Sequence, residues 1–168
     1  MPTGTQGSEA HHRPTVLFMC TGNSFRSQMA EAILRHLAGD RFEALSAGSH
    51  PAGFIHPLAV EALAGMGIPI GEQRSKSWDE FASRPIDAAI TLCDHAAGQP
   101  CPDFPGAPLR AHWPLPDPGS APGTDEDRLA LAHQVARRLR RKIEGLIALD
   151  WSGDRGLLAE RLRFLGEI

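Results

Sequence analysis

The sequence predicts an α/β fold: a single-domain, doubly wound, four-stranded parallel sheet of flavodoxin-like order, flanked by helices. Three observations carry this. Short apolar runs alternate with capped or amphipathic segments along the chain, the pattern of β-α units joined by right-handed crossovers. The run Ile86–Leu92 is apolar enough for a strand buried on both faces, as a parallel sheet requires. The length, 168 residues, supports one core without disulfide or metal staples, and no internal repeat divides it.

In chain order, Met1 to Pro14 is polar and rich in Gly, Ser and Thr, and reads as a disordered lead-in. The domain proper spans 15–149. Thr15–Met19 is the first strand. Ser27–Ala38 is a helix with Ala30, Ile33, Leu34 and Leu37 on one face, stopped by Gly39. Phe42–Ser46 is the second strand, and Pro57–Met66 a second helix closed by Gly67. Ser77-Trp78-Asp79-Glu80 has capping-box spacing and opens a short helix to about Ala82. Ile86–Leu92 is the third strand and Leu109–His112 a short fourth. Pro114 to Pro122 holds four prolines and a glycine, and is a loop. Thr124 caps a long helix to about Leu149, acidic at first (Asp125, Glu126, Asp127) and then basic (Arg137, Arg138, Arg140, Arg141, Lys142). That polarity suits the helix dipole and a solvated face; a nucleic-acid patch is the sharper alternative. In the extension 150–168, Leu157, Leu158, Leu162 and Leu165 recur at near-helical spacing. They predict a helix docked on the domain, or else a dimer contact.

Composition narrows the function. A formal charge of −3 and a pI near 6.2 give no global pull toward nucleic acid or anionic membrane. No apolar run approaches membrane-span length, and the start lacks a signal-peptide pattern. Three cysteines, an odd number, argue against a secreted disulfide framework and for a reducing, cytoplasmic setting. His11-His12 in the lead-in could bind metal, but adjacent histidines in a loose tail need no function.

The chemistry concentrates where the first strand ends. Cys20-Thr21-Gly22-Asn23-Ser24-Phe25-Arg26-Ser27 places a thiol at one lip of a tight loop and a guanidinium at the other, with a helix following at once. Small, turn-prone residues let the backbone N–H groups of Thr21 to Ser27 curl into an anion nest. The helix N-terminus adds its dipole and unpaired donors, and Arg26 can grip two oxygens of an anion. The same positive field favours Cys20 as a thiolate. A bare Cys-x5-Arg arises by chance, and a cysteine at a strand end is often only a small core residue. Strand, turn and helix together favour nucleophilic attack on a tetrahedral oxyanion.

Cys20-Thr-Gly-Asn-Ser-Phe-Arg-Ser-Gln-Met-Ala-Glu31 resembles the anion loop of the low-molecular-weight protein tyrosine phosphatase superfamily. More narrowly, it resembles the thioredoxin-coupled arsenate reductases on that fold, because the phosphatases usually carry Ser-Pro where this chain has Ser27-Gln28. Ser46-Ala47-Gly48, His56-Pro57-Leu58-Ala59, Arg74-Ser75-Lys76-Ser77, Thr91-Leu92-Cys93-Asp94, Cys101-Pro102 and His112-Trp113 to Asp117-Pro118 extend the match from about Thr15 to Ala148. Topology adds its own argument. In flavodoxin-like order the first and third strands are neighbours, and ligands bind where the winding reverses between them. Cys20 and Cys93 follow those two strands at the carboxyl edge, about 5 Å apart, within disulfide reach. Cys101 lies beyond a segment whose small residues and Gly98-Gln99-Pro100 read as pliable.

The resemblance implies arsenate reduction, part of arsenic detoxification, through a three-thiol relay. Cys20 attacks arsenate, Asp117 acts as general acid, Cys93 resolves the adduct, and Cys101 carries the disulfide outward to an external thiol reductant of thioredoxin or glutaredoxin type. No bound cofactor is implied, and phosphate or sulfate would mimic the substrate. Phe25 stands where some members carry a further cysteine. Asn23 and Ser27 would shape the loop and hydrogen-bond the Cys20 sulfur. Asn23, Glu31 and Ser46 match positions that coordinate potassium in some of these reductases, but Lys76 stands where those carry an acidic ligand. A lysine ammonium replacing the ion is expected, with no bound metal. Two rivals stay open: a phosphatase acting on phosphotyrosine or another phosphomonoester through Cys20, Arg26 and Asp117, and an oxyanion-binding redox switch. Asp117 also reads as a plain turn residue between two prolines, His112 and Trp113 as packing beneath its loop, and Cys93 and Cys101 as filler and an idle surface thiol.

Overall fold

The computed structural model describes residues 13–93, 98 and 101–168. Strands β1 (Thr15–Cys20), β2 (Glu43–Gly48), β3 (Ala88–Thr91) and β4 (Leu109–His112) form one parallel sheet in the order β2-β1-β3-β4. Cys20 lies opposite Gly48, and Met19 opposite Thr91, so the strand ends that bear function are level. Helices α1 (Arg26–Ala38), α2 (Pro57–Ala64), α3 (Asp125–Ile147) and α4 (Arg155–Phe164) complete the regular structure. The lead-in up to His12, with His11-His12, lies outside the described residues, as does most of the segment between Cys93 and Cys101.

The pleat of β1 divides the interior. Val16 and Phe18 join the core into which all four helices bury their apolar faces. Leu17, Met19 and Cys20 face the other side with Ala47, Ala89, Cys93, Ile86, Trp78 and Phe104. Among the described residues, that second side is covered by a 3-10 turn, Trp78–Phe81, and by irregular chain around Phe104.

Several boundaries differ from expectation. β2 runs on to Gly48 because Ala47 and Gly48 still pair with Met19 and Cys20. β3 is shorter than Ile86–Leu92, since the Asp87 carboxylate takes the Thr15 N–H at 2.7 Å and Ile86 bonds Pro105. Helix α2 stops at Ala64 with Gly65 as cap, and Gly67 then turns at φ +75°, a conformation that favours glycine. The capping box at Ser77 is half made. Ser77 accepts the Asp79 N–H, but Glu80 pairs with Arg74 instead of reaching back, and only a 3-10 turn forms. The box at Thr124 is complete, its partner being Asp127.

The C-terminal helix docks as the leucine spacing implies, burying Leu158 and Leu162, with Leu165 in the turn after it; Leu157 is instead 46% exposed. Lys142 corrects the reading of the α3 charge run. Arg137, Arg138 and Arg141 face solvent, but Lys142 is fully buried. Its Nζ donates to the carbonyls of Leu165 (3.1 Å), Gly166 (3.2 Å) and Ile168 (2.8 Å), so the ammonium clasps the end of the chain. Burial, with lesser repulsion from Arg138 and Arg141, lowers its pKa from 10.5. Lys142→Met leaves those carbonyls without their donor, and we expect a loss of about 2 kcal/mol, or roughly 4–8 °C in Tm. The unfolded chain holds the lysine proton to higher pH than the folded one. Wild-type stability therefore gains, relative to Lys142→Met, as pH rises through the folded value toward 10.5. Urea melts across that range check both the offset and the slope.

Candidate active site

The Cys20–Ser27 loop is shaped from outside. Backbone amides of residues 49–56 donate to its carbonyls: Ser49 to Cys20 (3.3 Å), His50 to Thr21 (2.9 Å), Ala52 to Gly22 (2.8 Å) and His56 to Ser24 (2.8 Å). With its carbonyls tied outward, the loop's N–H groups are left to face its interior. Gly48 is required, because a Cβ there would run into the Thr21 carbonyl. Asn23 sits at φ +47°, which its short amide side chain tolerates.

A buried polar chain fixes the Cys20 sulfur. Ser27 Oγ lies 2.8 Å from Cys20 Sγ and accepts from Asn23 Nδ2 at 2.8 Å, which leaves its own proton for the sulfur. Asn23 Nδ2 also reaches Ser46 Oγ (3.0 Å), which donates to Glu31 Oε1 (2.6 Å). Glu31 pairs with Arg35 and stands 3.8 Å from Lys76 Nζ. Lys76 donates to the Arg74 carbonyl (2.8 Å), and its backbone N–H to Asn23 Oδ1 (2.9 Å). Burial lowers the Lys76 pKa, with Glu31 opposing. Gln28 joins Asn23 to Arg74 and holds Gln73. The roles of Gln28 and Gln73 escape the sequence reading, because Gln28 meets Arg74 and Gln73 across 46 and 45 residues; Arg35, an i,i+4 partner of Glu31, was open to a spacing argument that the sequence reading did not make.

The loop opens into a cavity of about 470 Å³ lined by Cys20, Thr21, Gly22, Ser24, Phe25, Arg26, Cys93 and Asp117. Phe25 is buried and packs against His56 with ring centroids 4.8 Å apart and planes tilted by 44°; His56 in turn caps α2. Arg26 donates to the Leu115 carbonyl at 2.9 Å and lies 3.8 Å from Asp117. Its Nε is buried with no hydrogen-bond partner among the described residues, a donor available to an anion. Asp117 does two things. It caps the turn Pro118–Ser120, accepting from Gly119 N (3.0 Å) and Ser120 Oγ (2.8 Å), and it also borders the cavity. Trp113 is fully buried against Phe18, and His112 pairs with Thr91 at 2.7 Å.

The three cysteines are free of disulfide bonds. Cys93 is buried, lines the cavity and lies 3.3 Å from Thr21 Oγ1, so one hydroxyl links it to the loop. Cys101 is half-buried, outside the cavity, against the core side that holds Cys20 and Cys93. The pliability read into the segment 94–100 lies mostly outside the described residues. Chemically, the arrangement can bind a tetrahedral oxyanion against a nucleophilic sulfur and present a second sulfur to the first.

Comparison with known proteins agrees. The family model for low molecular weight phosphotyrosine protein phosphatase matches residues 15–150. An arsenate reductase of Halalkalibacterium halodurans is 39% identical over 133 residues, 79% of this chain and 94% of that protein. One from Bacillus subtilis is 37% identical, covering 77% and 91%. Among solved structures, an arsenate reductase in its phosphate-binding state superposes with a TM-score of 0.66 at 29% identity, covering 80% of this chain and 97% of the other. A thioredoxin-dependent arsenate reductase of Corynebacterium glutamicum gives 0.57 at 34% identity, over 83% and 66%. Anion loop, sheet order and sequence coverage together show that the chain belongs to the low molecular weight phosphotyrosine protein phosphatase family, as a relative of its arsenate reductases.

Proposed function

We propose that the protein reduces arsenate to arsenite through Cys20, Cys93 and Cys101, with a thioredoxin-type dithiol protein as electron donor in the cytoplasm. The observation that carries this is the pair of thiols on one anion cavity, backed by a third on the same core side. A phosphatase needs only the first.

Arsenate enters the loop against the inward N–H groups and Arg26. The Cys20 thiolate attacks arsenic; an oxygen departs as water, taking a proton from Asp117, and a Cys20–S–As(V) adduct forms. The Cys93 thiolate then attacks Cys20 Sγ. The S–As bond breaks with its electron pair going to arsenic, which leaves as arsenite, and a Cys20–Cys93 disulfide remains. Cys101 attacks Cys93, freeing Cys20 and forming Cys93–Cys101, which the external dithiol reduces. Thr21 Oγ1, 3.3 Å from Cys93 Sγ, holds that sulfur next to the anion loop. The test supplies arsenate, thioredoxin, thioredoxin reductase and NADPH to the wild type. Sustained arsenite production is expected. Phenyl phosphate hydrolysis without arsenite would make the protein a phosphatase.

Lys76 supplies, beside Glu31, the positive charge that a cation would bring. Turnover is expected to be equal in potassium and sodium salts at matched ionic strength. Clear activation by potassium would overturn that assignment.

A further inference from the structure

Within the relay, Cys101 is the thiol that the anion loop does not touch, so its reactivity needs another source. Arg110, in β4, reaches it. NH1 donates to Cys101 Sγ at 3.2 Å, and NH2 to the Pro102 carbonyl at 3.3 Å. The guanidinium carbon lies 5.8 Å from the centre of the Phe104 ring. One side chain thus holds three residues of a four-residue stretch. Its backbone is in register with Ala89 of β3, the strand after which Cys93 follows, and Ala89 packs in the same cluster as Cys93. An exposed arginine on an edge strand is ordinarily a solvated charge. Here its fork is directed at a sulfur.

We propose that Arg110 is the positioning residue for the outer thiol: it donates to the Cys101 sulfur and fixes it beside the strand that leads to Cys93. This rests on the relay described above. In the step it serves, the Cys101 thiolate attacks Cys93 Sγ of the Cys20–Cys93 disulfide. A Cys93–Cys101 bond forms, the old bond breaks, and its electron pair leaves on Cys20 as a thiolate. No proton moves, and the electrons were already transferred to arsenic. A guanidinium donating to the sulfur raises the thiolate population. Nucleophilicity falls less steeply than that population rises, so attack near neutral pH gains. Asp103, the acidic neighbour on the same stretch, is exposed and opposes the effect only across solvent.

The experiment removes the other two sulfurs. In Cys20→Ser/Cys93→Ser protein, Cys101 is the sole thiol, and its iodoacetamide alkylation rate at pH 7 reports its thiolate. Adding Arg110→Gln is expected to slow alkylation at least about threefold, and Arg110→Lys to recover part of the loss, with Tm unchanged in both. A clamp that only packed the segment would give equal or faster alkylation once loosened, and that result overturns the proposal. The assay contains no arsenate. Its failure leaves the arsenate reading standing, and absence of arsenite from the wild type leaves the alkylation rates interpretable.

Discussion

Cys20→Ser is expected to lower arsenite production by at least about a thousandfold, because a serine hydroxyl is not ionised near neutral pH and its direct partner, Ser27, is a hydroxyl and not a base. Ser27 Oγ lies 2.8 Å from the sulfur and accepts from Asn23, so the group next to residue 20 is a neutral hydroxyl that does not deprotonate a serine there. The other two thiols should fail later and differently. Cys93→Ser stops at the Cys20 adduct, and no arsenite is released. Cys101→Ser releases one equivalent and stops with Cys20 and Cys93 joined, readable as a mass two hydrogens lower. All three variants should still fold, and Cys93→Ser and Cys101→Ser should retain any hydrolysis of phenyl phosphate. Multiple turnover by Cys101→Ser at the wild-type rate would remove that residue from the relay.

Arg26→Lys carries the second largest effect. Lysine keeps the charge but loses the planar fork, and with it the bond to the Leu115 carbonyl that ties the Asp117 loop to the anion site. Loss of one preorganised donor to an oxyanion costs ~2.7–4 kcal/mol, so kcat/KM should fall by about 10²–10³. Phosphate should weaken in parallel as a competitive inhibitor, since the fork grips ground-state and transition-state oxygens alike. A change under tenfold in both would mean that the loop amides alone bind the anion.

Much of this was legible because it is local. The β1–loop–α1 unit is written in contiguous residues, and its chemistry follows from Cys-x5-Arg at a strand-to-helix turn. Sheet order followed from β-α alternation. What escaped depends on partners far along the chain. Lys142 sits in a run of arginines and looks solvated until residues 165–168 fold back over it. Ser77–Glu80 has the spacing of a capping box, but Arg74 competes for the glutamate. Arg110 shows no pattern at all, because Cys101 meets it only through tertiary packing.

The unequal cover of the two sheet faces bears on how the enzyme tolerates its own cycle. In the proposed relay a Cys93–Cys101 disulfide forms and is reduced at every turnover, which moves both sulfurs. Those sulfurs lie on the side capped by the Trp78 turn and Phe104, away from the interior that α1 to α4 share. A region with few buried contacts opens at a fraction of the global unfolding free energy. The thiols of the proposed relay therefore sit in or against the smaller of the two buried clusters, where opening costs least, and the interior that α1 to α4 share need not melt when that cluster gives way.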